Sequence, residues 1–96
     1  MKMVWIVYNQ AIGEEVDECL RRCGIESYTR FPLVHGVGQR SGPHMGTHVW
    51  PATNSLLAIV CDDERKDKIL EEVRALRSRF EREGVKAFVM SVEEIV

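Results

Sequence analysis

The sequence has little of what would direct a protein to nucleic acid or into a membrane. Its 13 lysines and arginines are outnumbered by 15 aspartates and glutamates, and no run of basic residues compensates locally. A nucleic-acid partner is therefore not expected. The N-terminal apolar run, residues 3–8, is much shorter than a membrane span and shorter than the core of a signal peptide. We therefore expect a cytoplasmic protein that does not insert into membranes.

Cysteine is also too scarce to build a disulfide framework. The chain has three cysteines, and an odd number excludes a closed set of pairs. Cys19 and Cys23 are four residues apart on the inner face of a predicted helix, and Cys61 ends an apolar run. Free cysteine is among the most buried residue types. We interpret all three as reduced core residues, with a metal pair from Cys19 and Cys23 as the alternative.

The first half of the chain predicts a strand, a helix and a second strand. Residues 3–8, MVWIVY, are β-branched and aromatic, as in a buried strand. Apolar residues then recur at the spacing of one helical face, and Gly24 follows as a helix stop. They are Ile12, Val16, Cys19, Leu20 and Cys23. The second strand lies within residues 25–34, where Pro32 places it at a sheet edge or a bulge.

The second half repeats this pattern and completes a single domain, residues 1–96. Residues 55–61, SLLAIVC, form a third strand, Asp62 and Asp63 cap a second helix that ends at Gly84, and residues 85–92 form a fourth strand. The order βαββαβ predicts an α+β, ferredoxin-like sandwich. Both helices then cover one face of the sheet, yet the strands are apolar on both faces. We therefore expect a homo-oligomer that buries the second sheet face.

The long connection between the second and third strands, residues 34–53, has an unusual composition. It holds all three histidines, four of the seven glycines and two of the three prolines, with Arg40 as its one formal charge. Connections in compact domains are usually about two to six residues, and a longer one is normally a working loop or a disordered one. Met45, Val49 and Trp50 argue against plain disorder. The sequence therefore predicts that function resides in this loop.

The start of the loop is a candidate ligand site. Its glycine spacing, G-x-G-x-x-x-G, and the lack of a following helix exclude a dinucleotide-binding fingerprint. Glycines still allow backbone amides to approach a ligand, and an isolated arginine suits a phosphate or carboxylate. The candidate ligand-binding residues are Gly36, Gly38, Gln39, Arg40 and Gly42. The alternative is that the glycines form bulges in a hairpin and Arg40 is solvated.

The three histidines of the loop are a second candidate site. His35, His44 and His48 would converge on one metal ion if the loop folded back, since imidazole is the commonest metal ligand. The loop holds no Asp, Glu or Cys to complete the set. In the alternative, the histidines hydrogen-bond the backbone or line a subunit contact. No nucleophile, base and orienting acid can be assembled from the sequence, so we predict no catalytic residues.

With this order of elements, the segment VHGVGQRSG, residues 34–42, resembles the start of the T-loop in the P-II-like signalling superfamily. Gln39 matches the position of the ligand-contacting glutamine in that family. The resemblance implies a homotrimer with its sheets packed inward and adenine nucleotide in the clefts between subunits. It also implies a loop whose effector-dependent state selects a protein target.

The sequence departs from the family pattern at the second phosphate loop, and a related group of proteins favours a metal. Where P-II proteins carry a second Gly- and Lys-rich phosphate loop, residues 82–86 read REGVK, with one glycine and one lysine. The copper-tolerance CutA proteins share the fold and the sheet-packed trimer. We therefore expect a divergent, non-catalytic regulatory trimer that binds a small anionic effector, with an adenine nucleotide or a divalent metal as the candidate cofactor. A CutA-like metal-binding trimer is the alternative.

Overall fold

A computed structural model describes residues 1–37 and 53–96 and gives a four-stranded sheet covered on one face by helices. Helices and strands follow in the order βαββαβ, with a single turn of 3₁₀ helix, Gln10–Ile12, before the first α-helix. The elements are β1 Lys2–Asn9, α1 Gly13–Arg22, β2 Thr29–Val34, β3 Asn54–Cys61, α2 Asp63–Arg79 and β4 Val85–Ser91. The predicted α+β, ferredoxin-like fold is confirmed.

The sheet is antiparallel throughout, in the order β2-β3-β1-β4. β1 is central, pairing along its whole length with β3 and along most of it with β4. The inward side chains of β1, Val4, Ile6 and Tyr8, are almost completely buried beneath the helices. The helices contribute the other half of the core. Their buried residues are Val16, Cys19, Leu20, Ile69, Val73 and Leu76.

α1 ends as its sequence predicts, at a glycine in the left-handed region. Gly24 has φ +71°, and its N–H donates to the carbonyl of Arg21 over 3.1 Å. The N–H of Ile25 donates to the carbonyl of Leu20 over 2.9 Å, which completes a Schellman motif. Ile25 is thereby drawn into the core rather than into a strand. β2 consequently starts at Thr29, later than the stretch of sequence that suggested it.

α2 begins where predicted but ends earlier than predicted. Asp62 caps its first turn by accepting a hydrogen bond from the Arg65 N–H over 2.8 Å. The prediction that the helix ends at Gly84 is wrong, because helical conformation stops at Arg79. Phe80 leaves the helix with φ −123° and ψ 71° and packs its ring against the core. Residues 80–84 therefore form a turn that leads into β4.

β2 is an edge strand with a bulge, as its proline predicts. Phe31 pairs with Leu56 and Val34 pairs with Asn54, so β2 has one residue more than β3 between these two pairs. Pro32 lies inside this irregularity, where its missing N–H costs no ladder hydrogen bond. The extra residue changes the course of the chain just before it leaves the sheet.

The sheet face opposite the helices, here called the open face, is not covered by any described element. Its members follow from the strand register, because directly paired residues point to the same side. They are Met3, Trp5, Val7, Asn9, Thr29, Phe31, Val34, Asn54, Leu56, Ala58, Val60, Lys86, Phe88 and Met90. Phe88 is 51% exposed and Met90 58% exposed. The prediction of strands that are apolar on both faces is confirmed.

The three cysteines are free and buried, as expected for core residues. Burial raises the pKa of each thiol, that of Cys19 to about 11. Cys19 also donates a hydrogen bond to the carboxylate of Glu72, which further favours the protonated thiol. All three are therefore unreactive thiols at neutral pH. Within the described ranges, neither helix has the length and hydropathy needed to cross a membrane.

Candidate functional site

Four strand ends lie together at one end of the sheet, which we call the loop end. β1 and β2 finish there and β3 and β4 begin there, because all neighbouring strands are antiparallel. Asn9 pairs with Asn54, and Val34 pairs with Asn54 from the other side. The N–H of Asn9 donates to the carbonyl of Gly84 over 2.9 Å. The second root of the 34–53 loop therefore lies between the end of β1 and the first root, and the turn that follows α2 lies on the other side of β1.

The first root of the loop approaches the second closely at Gly36. A Cβ atom at this position would lie 3.3 Å from Nδ2 of Asn54. That distance is tight, so a side chain at residue 36 would push the Asn54 carboxamide aside. His35 and Gly36 are both exposed. The glycine thus keeps the two roots close together and leaves Asn54 accessible from the loop end.

The open face changes from apolar to polar toward the loop end. The two rows farthest from the loop end contain Trp5, Phe88 and Met90, whereas Lys86 lies one row from the loop end, paired with Val7. Lys86 is exposed and is the one charged side chain among the described members of the open face. Asn9 and Asn54 form the last row. The loop end thus offers an ammonium group and two carboxamides, which suit an anion. Lys86 lies on the edge strand β4, at the opposite edge of the sheet from the glycine-containing root, with Asn9 and Asn54 between them.

Beneath this polar row, three side chains hold the bulge of β2. Ser55 donates its hydroxyl hydrogen to the carbonyl oxygen of Pro32 over 2.8 Å. Gln10 donates from Nε2 to the same oxygen over 2.6 Å, and that nitrogen lies 3.5 Å from the Ser55 oxygen. Burial raises the pKa of Tyr8, which pairs with Ser55 across the sheet and shares a hydrogen bond with it. The Tyr8 hydroxyl therefore stays protonated near neutral pH.

An ion pair fixes the helix side of β2. Arg30 donates to the carboxylate of Asp17 on α1, and its guanidinium lies 5.4 Å from the centre of the Tyr28 ring. This pair raises the pKa of Arg30. Arg30 pairs with Leu57 and so faces the helices. It is therefore a structural cation that ties the edge strand to α1, and it is not free to bind an anion at the loop end.

Few of the residues predicted as functional lie in the part of the chain that the structure describes. Gly36 and His35 are at the first root, beside Asn54 and the end of β1. The remaining ligand-binding and metal-binding candidates lie outside the described residues. These are Gly38, Gln39, Arg40, Gly42, His44 and His48. Among residues 1–37 and 53–96, no three His, Cys, Asp or Glu side chains group as a metal site.

Sequence reasoning missed three residues that the fold brings to the loop end. Lys86, Asn54 and Gln10 come from separate parts of the chain. In the sequence, Lys86 stands out only as the one lysine of a segment that lacks a second phosphate loop. The sequence feature that could have identified Lys86 is its position as a lone charge in an otherwise apolar strand. Its relation to the loop roots depends on strand register, which the hydrophobic pattern does not supply.

Comparison with known proteins gives a consistent assignment. The family model for nitrogen regulatory protein P-II matches residues 1–96. Among solved structures, a candidate PII-like signalling protein from Thermus thermophilus is 26% identical, with a TM-score of 0.63 over 93% of this chain and 83% of that one. CPII from Thiomonas intermedia, solved with ADP and bicarbonate, is 22% identical, with a TM-score of 0.69 over 93% and 82%. No curated protein matches.

The family match extends over the whole chain, and both solved structures share its fold. The second structure is too distant in sequence to indicate more than a common fold. The Thermus thermophilus protein is a candidate PII-like signalling protein, which agrees with the sequence resemblance found at residues 34–42. The chain belongs to the P-II family of nitrogen regulatory proteins and is a PII-like signalling protein.

Proposed function

We propose that this chain is a single-domain, non-catalytic P-II-like regulator that works as a cytoplasmic homotrimer. In this proposal a small anionic effector binds in the clefts between subunits, and residues 34–53 act as a T-loop that docks a protein partner. The observation that carries the proposal is the open face, which is apolar over most of its area and becomes polar at the loop end.

The apolar part of the open face supports self-association. Trp5, Phe88 and Met90 lie on neighbouring strands and would form a continuous exposed patch in a monomer. Soluble monomers rarely expose more than a few hundred Å² of contiguous apolar surface. P-II family proteins typically form trimers, and a sheet-to-sheet contact would cover this face in each subunit.

The polar part of the same face supports an effector site at the subunit boundary. If the apolar rows are buried between subunits, Lys86, Asn9 and Asn54 lie at the margin of the contact, with Asn54 beside the root at Gly36 and Lys86 at the other edge of the sheet. We propose that this margin continues into Gly38, Gln39, Arg40 and Gly42. An adenine nucleotide fits this chemistry, since phosphates suit an ammonium and a guanidinium. The related fold from Thiomonas intermedia binds ADP and bicarbonate.

Native mass spectrometry of protein purified without chelator tests the assembly and the ligand together. We expect a trimer that retains nucleotide or takes it up from an added panel of AMP, ADP and ATP, each with and without bicarbonate. A monomer at micromolar concentration would contradict the proposal, because the clefts between subunits could not form. A trimer that binds none of the panel would remove the nucleotide version and leave other anions to be tested.

A matched pair of lysine substitutions tests the position of the effector. Lys86→Met removes the cation at the loop end, and Lys2→Met makes the same chemical change at the other end of β1, where Lys2 pairs with Ser91. We expect Lys86→Met to weaken ADP binding about tenfold or more, because a charged hydrogen bond is worth roughly 1.5–3 kcal/mol. Lys2→Met should leave the affinity unchanged in isothermal titration calorimetry.

The same native spectra test the metal-binding alternative. Zinc, copper or nickel retained by the trimer would favour a site that includes His35, His44 and His48. That site would be lost in the triple histidine-to-alanine variant. Metal uptake by this variant would mean that the ion binds at another site. No metal uptake by the wild type at near-neutral pH would exclude the metal-binding alternative.

A further inference from the structure

We propose that Gln10 is a positioning residue that holds the two roots of the 34–53 loop in a fixed relation. Its main-chain N–H donates to the carbonyl of Thr53 over 2.9 Å, on the second root. Its side-chain Nε2 donates to the carbonyl of Pro32 over 2.6 Å, just before the first root. One residue between β1 and α1 thus joins the chain on both sides of the loop.

The side-chain bond has a specific acceptor that the sheet itself leaves unpaired. Pro32 lies in the bulge between Phe31 and Val34, and no ladder pair is formed there. Its carbonyl oxygen has two lone pairs, of which Ser55 takes one and Gln10 the other. Without Gln10 the oxygen keeps only the bond from Ser55. The bulge would then be held from β3 alone, with no connection to β1.

The preceding residue fixes how Gln10 is presented. The side-chain oxygen of Asn9 accepts a hydrogen bond from the N–H of Ala11 over 2.8 Å, which caps the short 3₁₀ turn at Gln10–Ile12. The N–H of Asn9 meanwhile donates to Gly84 over 2.9 Å. Two adjacent residues therefore bind three carbonyls at the loop end, those of Pro32 and Thr53 on either side of the 34–53 loop and that of Gly84 in the turn before β4. Movement of the loop roots is coupled to that turn through this junction.

The role of this junction rests on the proposed function, because the effector is placed at the same end of the sheet. Gln10 is exposed, and its contacts are to carbonyl and hydroxyl oxygens rather than to the core. Its side chain acts through Pro32 and is not offered as a ligand contact. Loss of its bond should loosen both roots while α2 and the core keep their stability.

Hydrogen exchange of the wild type and two Gln10 variants tests the positioning role. Gln10→Met keeps the length of the side chain and removes both donor hydrogens, whereas Gln10→Lys restores a donor group as an ammonium. We expect peptides covering residues 31–37 and 53–56 to exchange about threefold to tenfold faster in Gln10→Met, the range for one hydrogen bond. They should return toward the wild-type rate in Gln10→Lys. Peptides of α2 serve as the reference and should not change.

Three results would overturn the positioning role. The first is an unchanged exchange rate at both roots in Gln10→Met. The second is equal acceleration in α2, which would mean a general loss of stability. The third is equally fast exchange of both roots in Gln10→Lys, which would show that loss of the donated hydrogen bond does not cause the faster exchange. None of these measurements requires a ligand, so they decide the role of Gln10 even if the proposed function fails.

Titration with ADP then separates the two proposals. If the wild type binds ADP, Gln10→Met should weaken binding by a similar factor of about threefold to tenfold. Unchanged affinity in Gln10→Met would overturn the link between root position and effector binding. A wild type that does not bind ADP would contradict the nucleotide version of the proposed function alone.

Discussion

The Ser55 hydroxyl donates a hydrogen bond to the carbonyl oxygen of Pro32 over 2.8 Å and so joins β3 to the bulge of β2. Ser55 is 5% exposed and is the one polar residue among the buried residues of the described ranges. It lies on the helix side of the sheet, opposite Tyr8. A polar group is buried there because the bulge exposes a carbonyl that needs a donor.

Replacement of Ser55 by alanine should therefore destabilise the protein measurably. The Pro32 carbonyl keeps its bond from Gln10, so loss of the single bond from Ser55 is expected to lower the free energy of unfolding by about 0.5–1.5 kcal/mol. Urea denaturation of Ser55→Ala against the wild type measures this difference. Ser78→Ala, an exposed change on α2, should be neutral or slightly stabilising. Equal midpoints for Ser55→Ala and the wild type would contradict the importance of this bond.

A charge placed on the open face should disrupt the proposed trimer. Phe88→Glu puts a carboxylate opposite Trp5, in the middle row of the face. We expect light scattering to report monomers, because an unpaired charge at an apolar interface is strongly unfavourable. Ile95→Glu is the control, since Ile95 is apolar and 66% exposed but lies after β4.

The fluorescence of Trp5 on the open face measures the effect of Phe88→Glu independently. Trp5 is half-buried in the single chain and would be covered further by a sheet-to-sheet contact. In a Trp50→Phe background, Phe88→Glu should shift the Trp5 emission to longer wavelength. Unchanged emission together with an unchanged molar mass would place the subunit contact elsewhere.

Stability should fall as the solution becomes alkaline. Burial raises the pKa of Cys19 to about 11, so the folded protein keeps a proton that the unfolded chain loses above roughly pH 8.5. The unfolded state then binds fewer protons, and the contribution of Cys19 to stability is lost between about pH 9 and pH 11, by up to about 1.4 kcal/mol per pH unit. In Cys19→Ser the pH dependence of urea denaturation should be flatter. Parallel curves for the two proteins would contradict this assignment.

The cap of α2 should depend on an oxygen acceptor more than on a charge. Asp62 accepts from the Arg65 N–H, and this bond lowers the pKa of its carboxyl group. Asp62→Asn keeps an acceptor and should melt close to the wild type, whereas Asp62→Ala should melt at a lower temperature. Asp63→Ala, in the first turn but not at the cap, is the control. Equal losses of melting temperature in the asparagine and alanine variants would show that the charge of Asp62, and not its oxygen acceptor, stabilises the helix.

The same cap predicts a dependence on acid. A carboxyl group whose pKa is lowered on folding stabilises the protein above its unfolded pKa. That contribution is lost as the pH falls through the lowered value. The difference in melting temperature between the wild type and Asp62→Ala should therefore shrink in acid. A difference that stays constant into strong acid would contradict a role for the ionised form.

The fold could be predicted from the sequence because a local sequence pattern indicated each helix and strand. Pro32 indicated the edge position of β2, and Gly24 the end of α1, since both effects depend on backbone chemistry at one residue. The end of α2 could not be predicted in the same way. Phe80 follows Leu76 at helical spacing, and that spacing is the same whether Phe80 continues the helix or turns back onto the core.

The candidate site was only partly predictable, for a different reason. Gly36 was found because unusual composition marks the loop. Lys86 and Gln10 reach the loop end only through strand register and a short 3₁₀ turn, and neither follows from apolar periodicity. Asn54 becomes significant only when a Cβ at residue 36 is seen to press against it. Such convergence is a property of the folded chain.

The bulge of β2 also affects how this protein can change over generations. Both lone pairs of the Pro32 carbonyl are used by Gln10 and Ser55, and pairing resumes at Val34 with Asn54. The sheet beside the loop is thus completed by its own residues. Substitutions or changes of length between residues 38 and 52 need not disturb it. The proposed recognition loop can therefore change in sequence and length while the sheet that carries it is kept.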